Sequence, residues 1–119
     1  LSLAEKIRME LEAKELATPF EKDLTALFDQ SARITREVLL HLVRKGELRR
    51  ITEEYFVLAS VHERFVEKVR AHLKERGSLQ VDDVRQMTGL SRKYLVPLLE
   101  DLDRRHVTRR ETSQVRVAW

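Results

Sequence analysis

Arg92 and Lys93 follow Ser91 and precede Tyr94 where a leucine-spaced run begins, in the stretch TGLSRKYLVPLLEDLDRRHVTRR, residues 88 to 110. Two cations at a helix start stand beside free backbone N–H groups that already carry partial positive charge, so the pair suits an anion such as phosphate. Tyr94 adds a ring that could stack on an unpaired base, although a Tyr in the first turn of a helix more often packs against its neighbour. Further along lie Arg104 and Arg105, then Arg109, Arg110 and Arg116, which would extend a positive surface along a nucleic-acid backbone. The competing reading of these five is structural: Arg104 and Arg105 favour the C-terminal end of a helix dipole, and arginines on strands serve as solvated edge charges. Catalysis has no such support, because pairs such as Asp82/Asp83 and Asp101/Asp103 lack partners converging on a pocket.

Composition narrows the chemistry further. Zero Cys excludes disulfides and thiolate metal sites, and His41, His62, His72 and His106 are scattered without ligand spacing, so no metal or cofactor is expected. Three Gly and two Pro leave no phosphate-cradling glycine loop. No apolar run approaches the roughly 20 residues of a membrane span and the N-terminus does not resemble a signal peptide, so a cytoplasmic chain without membrane contact is expected; a monomer is expected as well. The missing initiator Met is what a piece of a longer protein would show. The formal charge of +3 is unevenly spread: residues 1–60 hold 10 Lys/Arg against 11 Asp/Glu, and residues 61–119 hold 13 against 9. An anionic partner is therefore expected for the second half.

The elements that must position these residues are written twice. A shift of 60 residues aligns LVRKGELRRITEEYFVLA (42–59) with LDRRHVTRRETSQVRVAW (102–119), matching Leu42 with Leu102, Arg44 with Arg104, Arg49 and Arg50 with Arg109 and Arg110, Thr52 with Thr112 and Val57 with Val117. Ser2-x-x-Glu5 and Ser60-x-x-Glu63 both read as helix-starting capping boxes. The chain is thus predicted to divide into residues 1–60 and 61–119.

Periodicity predicts the same order in each. In the first, a helix carries Leu3, Ile7, Leu11 and Leu16. Thr18 caps a second helix that buries Leu24, Leu27 and Phe28. Thr35 caps a third with Val38, Leu39, Leu42 and Val43, ended by Gly46; a strand pair Glu47–Ile51 and Tyr55–Leu58 follows. In the second, Phe65, Val66, Val69 and Leu73 line the first helix. A short strand from Leu79 to Val81, a helix from Asp82 to Thr88, and a Gly89 turn lead to a helix from Ser91 to Arg105, with Pro97 expected to loosen its first turns. Val107–Arg110 and Val115–Trp119 form a hairpin around Glu111–Gln114. The predicted fold class is mostly α with small β-hairpins: two tandem winged-helix domains, each a helix-turn-helix plus a wing. In the first, Arg49 and Arg50 face a wing bearing Glu53 and Glu54, and Glu37 is expected near the third helix start, where it repels phosphate.

TGLSRKYLVPLLEDLDRRHVTRR followed by VRV resembles the C-terminal winged-helix module of the bacterial selenocysteine-specific elongation factor. The likeness is dense from Val81 to Val117; residues 1–60 are similar to the preceding module in architecture only. His106, where the family often has Gly, and the wing ETSQ depart from the pattern. The resemblance implies that the last module grips an mRNA hairpin and reads its flipped bases. Through the full-length factor it would act with the ribosome and selenocysteinyl-tRNA at a UGA codon. The resemblance places any GTPase upstream, so this chain is not expected to be an enzyme; the net charge of −1 and the acidic wing of residues 1–60 lead to the expectation that they are a spacer. On residues alone, a tandem winged-helix DNA-binding transcription regulator and a protein-interaction module remain open.

Overall fold

The computed structural model describes residues 1–119 and separates them into two compact units, Leu1–His62 and Glu63–Trp119. The first contains helices α1 (Leu3–Lys14), α2 (Glu21–Leu27) and α3 (Ala32–Arg44), then strands β1 (Leu48–Arg50) and β2 (Phe56–Leu58). Helix α4 (Ala59–Arg76) follows, and the division between the units falls within it. The second unit continues with β3 (Leu79–Gln80), α5 (Val81–Thr88), α6 (Arg92–Arg104), β4 (Thr108–Arg110) and β5 (Val115–Ala118). Strands β1 and β2 form an antiparallel hairpin; β4 and β5 form another, to which β3 adds a third strand in the order β3-β5-β4. No helix is long and apolar enough to cross a membrane, and no group of three or more His, Asp or Glu could hold a metal ion.

The first core joins Ile7, Leu11, Leu24, Leu39 and Leu42, on the apolar faces that helical spacing predicts, with Leu48 and Phe56 from the two strands. In the second unit Phe65, Val69, Leu73, Val84, Leu95, Leu98, Leu99 and Leu102 are buried in the same way. Pro97 lies within α6 without interrupting it: placed early in the helix, it removes only one N–H from the ladder.

Several helix starts differ from expectation. Ser2 does cap α1, accepting from the Glu5 N–H at 3.1 Å. Ser60, by contrast, is the second residue of α4, which runs on from β2. Thr18 is buried and donates its hydroxyl to the Phe56 carbonyl at 2.8 Å, leaving α2 to begin at Glu21. Leu27 is 54% exposed rather than buried. Helix α3 begins one turn before Thr35, with Ser31 as its cap accepting from the Ile34 N–H at 3.1 Å.

That last correction extends the repeat, since Ser31 and Ser91 now correspond under the same 60-residue shift. The hydrogen bonds follow suit. Both third helices end with the same pair of bonds: Gly46 N–H to the Val43 carbonyl and Glu47 N–H to Leu42, matched by His106 to Asp103 and Val107 to Leu102. Gly46 at φ +80° and His106 at φ +60° occupy the same left-handed position; His is among the few other residues that tolerate it. His106 also stacks on Trp119 at 3.9 Å between centroids. The wings close alike, through Ile51 N–H to the Tyr55 carbonyl and Glu111 N–H to Val115. A Thr hydroxyl accepts in each turn, from Glu54 N–H and from Gln114 N–H. The wing ETSQ therefore forms without glycine.

Candidate nucleic-acid interface

Helix α6 starts at Arg92 because Ser91 leaves its backbone extended (φ −76°, ψ 167°), although the Ser91 side chain makes no cap hydrogen bond. Arg92 and Lys93 are exposed on this first turn. The Lys93 ammonium lies 5.4 Å from the centroid of the half-buried Tyr94 ring, a cation–π contact. Arg92 opens onto a cleft of about 290 Å³ between α6 and the wing. Its apolar wall is Val81, Val96 and Leu99; Glu100, Ser113 and Gln114 supply polar edges, and Arg110 stands on the wing side.

Strand geometry turns Arg110 and Arg116 toward this cleft, which both line, and Arg109 away from it. Side chains alternate along a strand, so Arg110 shares its face with buried Thr108 and with its register partner Arg116, while Arg109 points to the other face. The side chains of Arg92, Arg109 and Arg110 make no hydrogen bond or ion pair within the chain and keep their full donor capacity for a ligand.

The remaining arginines are engaged internally. Arg116, expected to bind RNA, is instead 1% exposed: its Nε lies 3.1 and 3.2 Å from the two Asp103 carboxylate oxygens and its Nη2 lies 3.0 Å from Oδ2. The Thr108 hydroxyl donates to the same carboxylate at 2.6 Å. A buried guanidinium requires such a partner, so Arg116 bolts the hairpin to α6. Its signal in the sequence was the alternation of β5, where Arg116 takes the face opposite to Val115 and Val117. Arg104 and Arg105 donate to buried Asp101 at 3.2 and 2.8 Å. They stand about 18 Å along the helix from Arg92, too far to act on the same group.

In the first unit Arg33, not Glu37, occupies the second position of α3 and pairs with Glu37 at 2.8 Å. Arg36 donates to the Glu21 carboxylate at 3.0 and 3.3 Å, and that bond, with the Glu21 charge and a further pull from Glu53, raises its already high pKa. Arg50 donates to the Glu53 carbonyl at 3.0 Å and lies over the Phe56 ring at 5.6 Å.

Helix-turn-helix, hairpin and a cationic cleft between them make up a winged helix. Residues 71–116 match the sequence model of the winged helix of elongation factor SelB. Over 69 residues the chain is 29% identical to the selenocysteine-specific elongation factor of Desulfomicrobium baculatum, covering 58% of this chain and 11% of that protein. The chain thus spans about a tenth of the length of that relative. Two solved structures share the fold. One is the mRNA-binding domain of elongation factor SelB from E. coli, in complex with SECIS RNA: 22% identity, TM-score 0.78, covering 98% of this chain and 97% of that one. The other is a bacterial selenocysteine-specific elongation factor, EF-Sec: 22% identity, TM-score 0.76, covering all of this chain and 19% of that one. The SelB winged-helix model, over residues 71–116, takes in all but the last residue of the stretch from Val81 to Val117 that carries the resemblance.

Proposed function

We propose that this chain is the RNA-binding end of a selenocysteine-specific elongation factor and tethers that factor to a hairpin in selenoprotein mRNA. The observation that carries the reading is the cleft between the α6 start and the wing, where Arg92 and Arg110 converge over an apolar wall. A carboxylate at Glu100 disfavours phosphate inside the cleft and accepts from a base N–H. Phosphates therefore belong with Arg92, Lys93 and Arg110 at the rim, Arg109 is left to meet backbone from the other face of the hairpin, and an unstacked base belongs against Val81, Val96 and Leu99. A-form stems hide their base edges in a deep, narrow groove, so specific reading falls on loop or bulge bases. The relatives are elongation factors, one of them with RNA bound, which favours this reading over a DNA-binding regulator. Ser91 and Tyr94 shape the helix start; Arg104 and Arg105 are left at most a peripheral role. The ribosome and selenocysteinyl-tRNA would be met through the rest of the factor, which would also carry any GTPase activity, in the cytoplasm and with this chain as a monomer.

The chain is expected to bind a small hairpin of selenoprotein mRNA more tightly than duplex DNA of equal length or unstructured RNA of the same composition; equal affinity for all three in a titration would reject the reading. The first unit serves as a spacer. A fragment from Ala59 to Trp119, which keeps α4 whole, is expected to retain most of the hairpin affinity, and loss of nearly all binding by a folded fragment would assign the first unit a direct contact.

A further inference from the structure

The 60-residue shift relates the cleft of the second unit to a cleft position in the first, and the residues there have been exchanged as a set. Val81 and Val96, which line the open cleft, correspond to Glu21 and Arg36, which are ion-paired at 3.0 Å. Ser113 and Gln114 on the wing correspond to Glu53 and Glu54. Backbone placement is conserved: the Val81 N–H donates to the Gln114 carbonyl at 3.2 Å, and the Glu21 N–H donates to Glu54 at 2.8 Å. Each α-helix start and wing tip therefore stands in the same relation, and the first unit still has cations about it, in Arg33, Arg36, Arg49 and Arg50. What differs is where the carboxylates sit: the second cleft has Glu100 on α6, at the position of Leu40, whereas the first unit has Glu21 at the helix start and Glu53 and Glu54 on the wing. The Glu21 side chain is 12% exposed and accepts two bonds from Arg36, as a phosphate oxygen pair would. Glu53 adds a second negative charge that acts on the same guanidinium.

We propose that Glu21 and Glu53 are specificity-determining residues that exclude RNA from the first unit: Glu21 stands in for phosphate on Arg36, Glu53 repels the backbone at the wing, and the hairpin is confined to the second unit. The proposal rests on the RNA-binding reading above. Its logic is discrimination by repulsion, in which a like charge is set against the ligand at the wrong site.

The test uses the full chain and a labelled hairpin of selenoprotein mRNA, titrated to saturation by calorimetry. Glu21→Gln with Glu53→Gln keeps side-chain size, removes both charges and frees Arg36. Glu10→Gln with Glu12→Gln makes the same change in net charge on α1. The first double variant is expected to gain a second binding event, roughly ten- to a hundredfold weaker than the first because Ala32 stands where the second unit has Arg92. The α1 variant is expected to bind one hairpin, like the parent. No second event in a Glu21/Glu53 variant that melts like the parent, or an equal gain in the α1 variant, overturns the proposal. Repeating the titration with Arg92→Ala and Arg110→Ala separates the two readings: loss of the first event tests the site in the second unit, and survival of the new one tests the exclusion. Should the Glu21/Glu53 variant unfold, Glu53→Gln alone is expected to show a weaker form of the same gain, and its absence there overturns the proposal equally.

Discussion

Asp103→Ala is expected to destabilise the second unit by about 3 kcal/mol and to lower its thermal midpoint by roughly 12–24 °C. The substitution leaves the Arg116 guanidinium buried with no carboxylate, and removes the acceptor for the Thr108 hydroxyl. Breaking a buried pair from one side costs about 3–5 kcal/mol in general. The lower end applies because the Asp103 side chain is 29% exposed, so water can partly replace it. The first unit indicates the remedy. Its counterparts of Asp103, Thr108 and Arg116 are Val43, Leu48 and Phe56, an apolar trio in which Leu48 and Phe56 join the core and Val43 packs against it. Asp103→Val, Thr108→Leu and Arg116→Phe together are expected to recover most of the loss, since well-packed apolar residues replace buried ion pairs at little cost. Thermal unfolding followed by circular dichroism checks both statements; an Asp103→Ala protein that melts with the parent would show that the pair is no bolt.

Arg92→Ala is expected to weaken hairpin binding by roughly tenfold or more, while Arg49→Ala changes it by less than about threefold. The two substitutions remove the same formal charge, so a diffuse electrostatic attraction would make them equivalent. Position separates them. Arg92 makes no internal contact and opens onto the cleft, whereas Arg49 is half-buried, donates to the Gly46 carbonyl at 3.5 Å and belongs to the hairpin that carries Glu53 and Glu54. Loss of one phosphate contact is also expected to flatten the salt dependence by about one unit of slope. Titrations at two salt concentrations decide the matter, and equal losses for the two variants would assign binding to the basic field as a whole.

The architecture was legible because leucine spacing, turn residues and the repeat all pointed to the same elements. The candidate site was legible in part. The exposed placement of Arg92, Lys93 and Arg110 follows from a helix start and a hairpin, but Arg116 was misplaced because its residue type suggested solvent while its strand position dictated burial. Helix starts were the least readable feature. Ser31 and Thr35 are both good caps on local grounds, and only the position of Leu39 and Leu42 against the core decides between them. The cleft itself could not be read, because it joins Val81, Arg92, Arg110 and Gln114 across three elements whose approach is set by packing.

The exchange between the units, ionic where the other is apolar and apolar where the other is ionic, also bears on how a duplicated sequence assembles. Neighbouring repeats that resemble each other risk docking an element of one onto the other during synthesis. Here the β4–β5 hairpin set against α3 would press the Arg116 guanidinium onto Val43 with no counter-charge. The β1–β2 hairpin set against α6 would press the Phe56 ring onto the Asp103 carboxylate. Each error buries an uncompensated charge, so the divergence of these few positions gives each hairpin one helix on which it can settle and keeps the two halves from folding into one another.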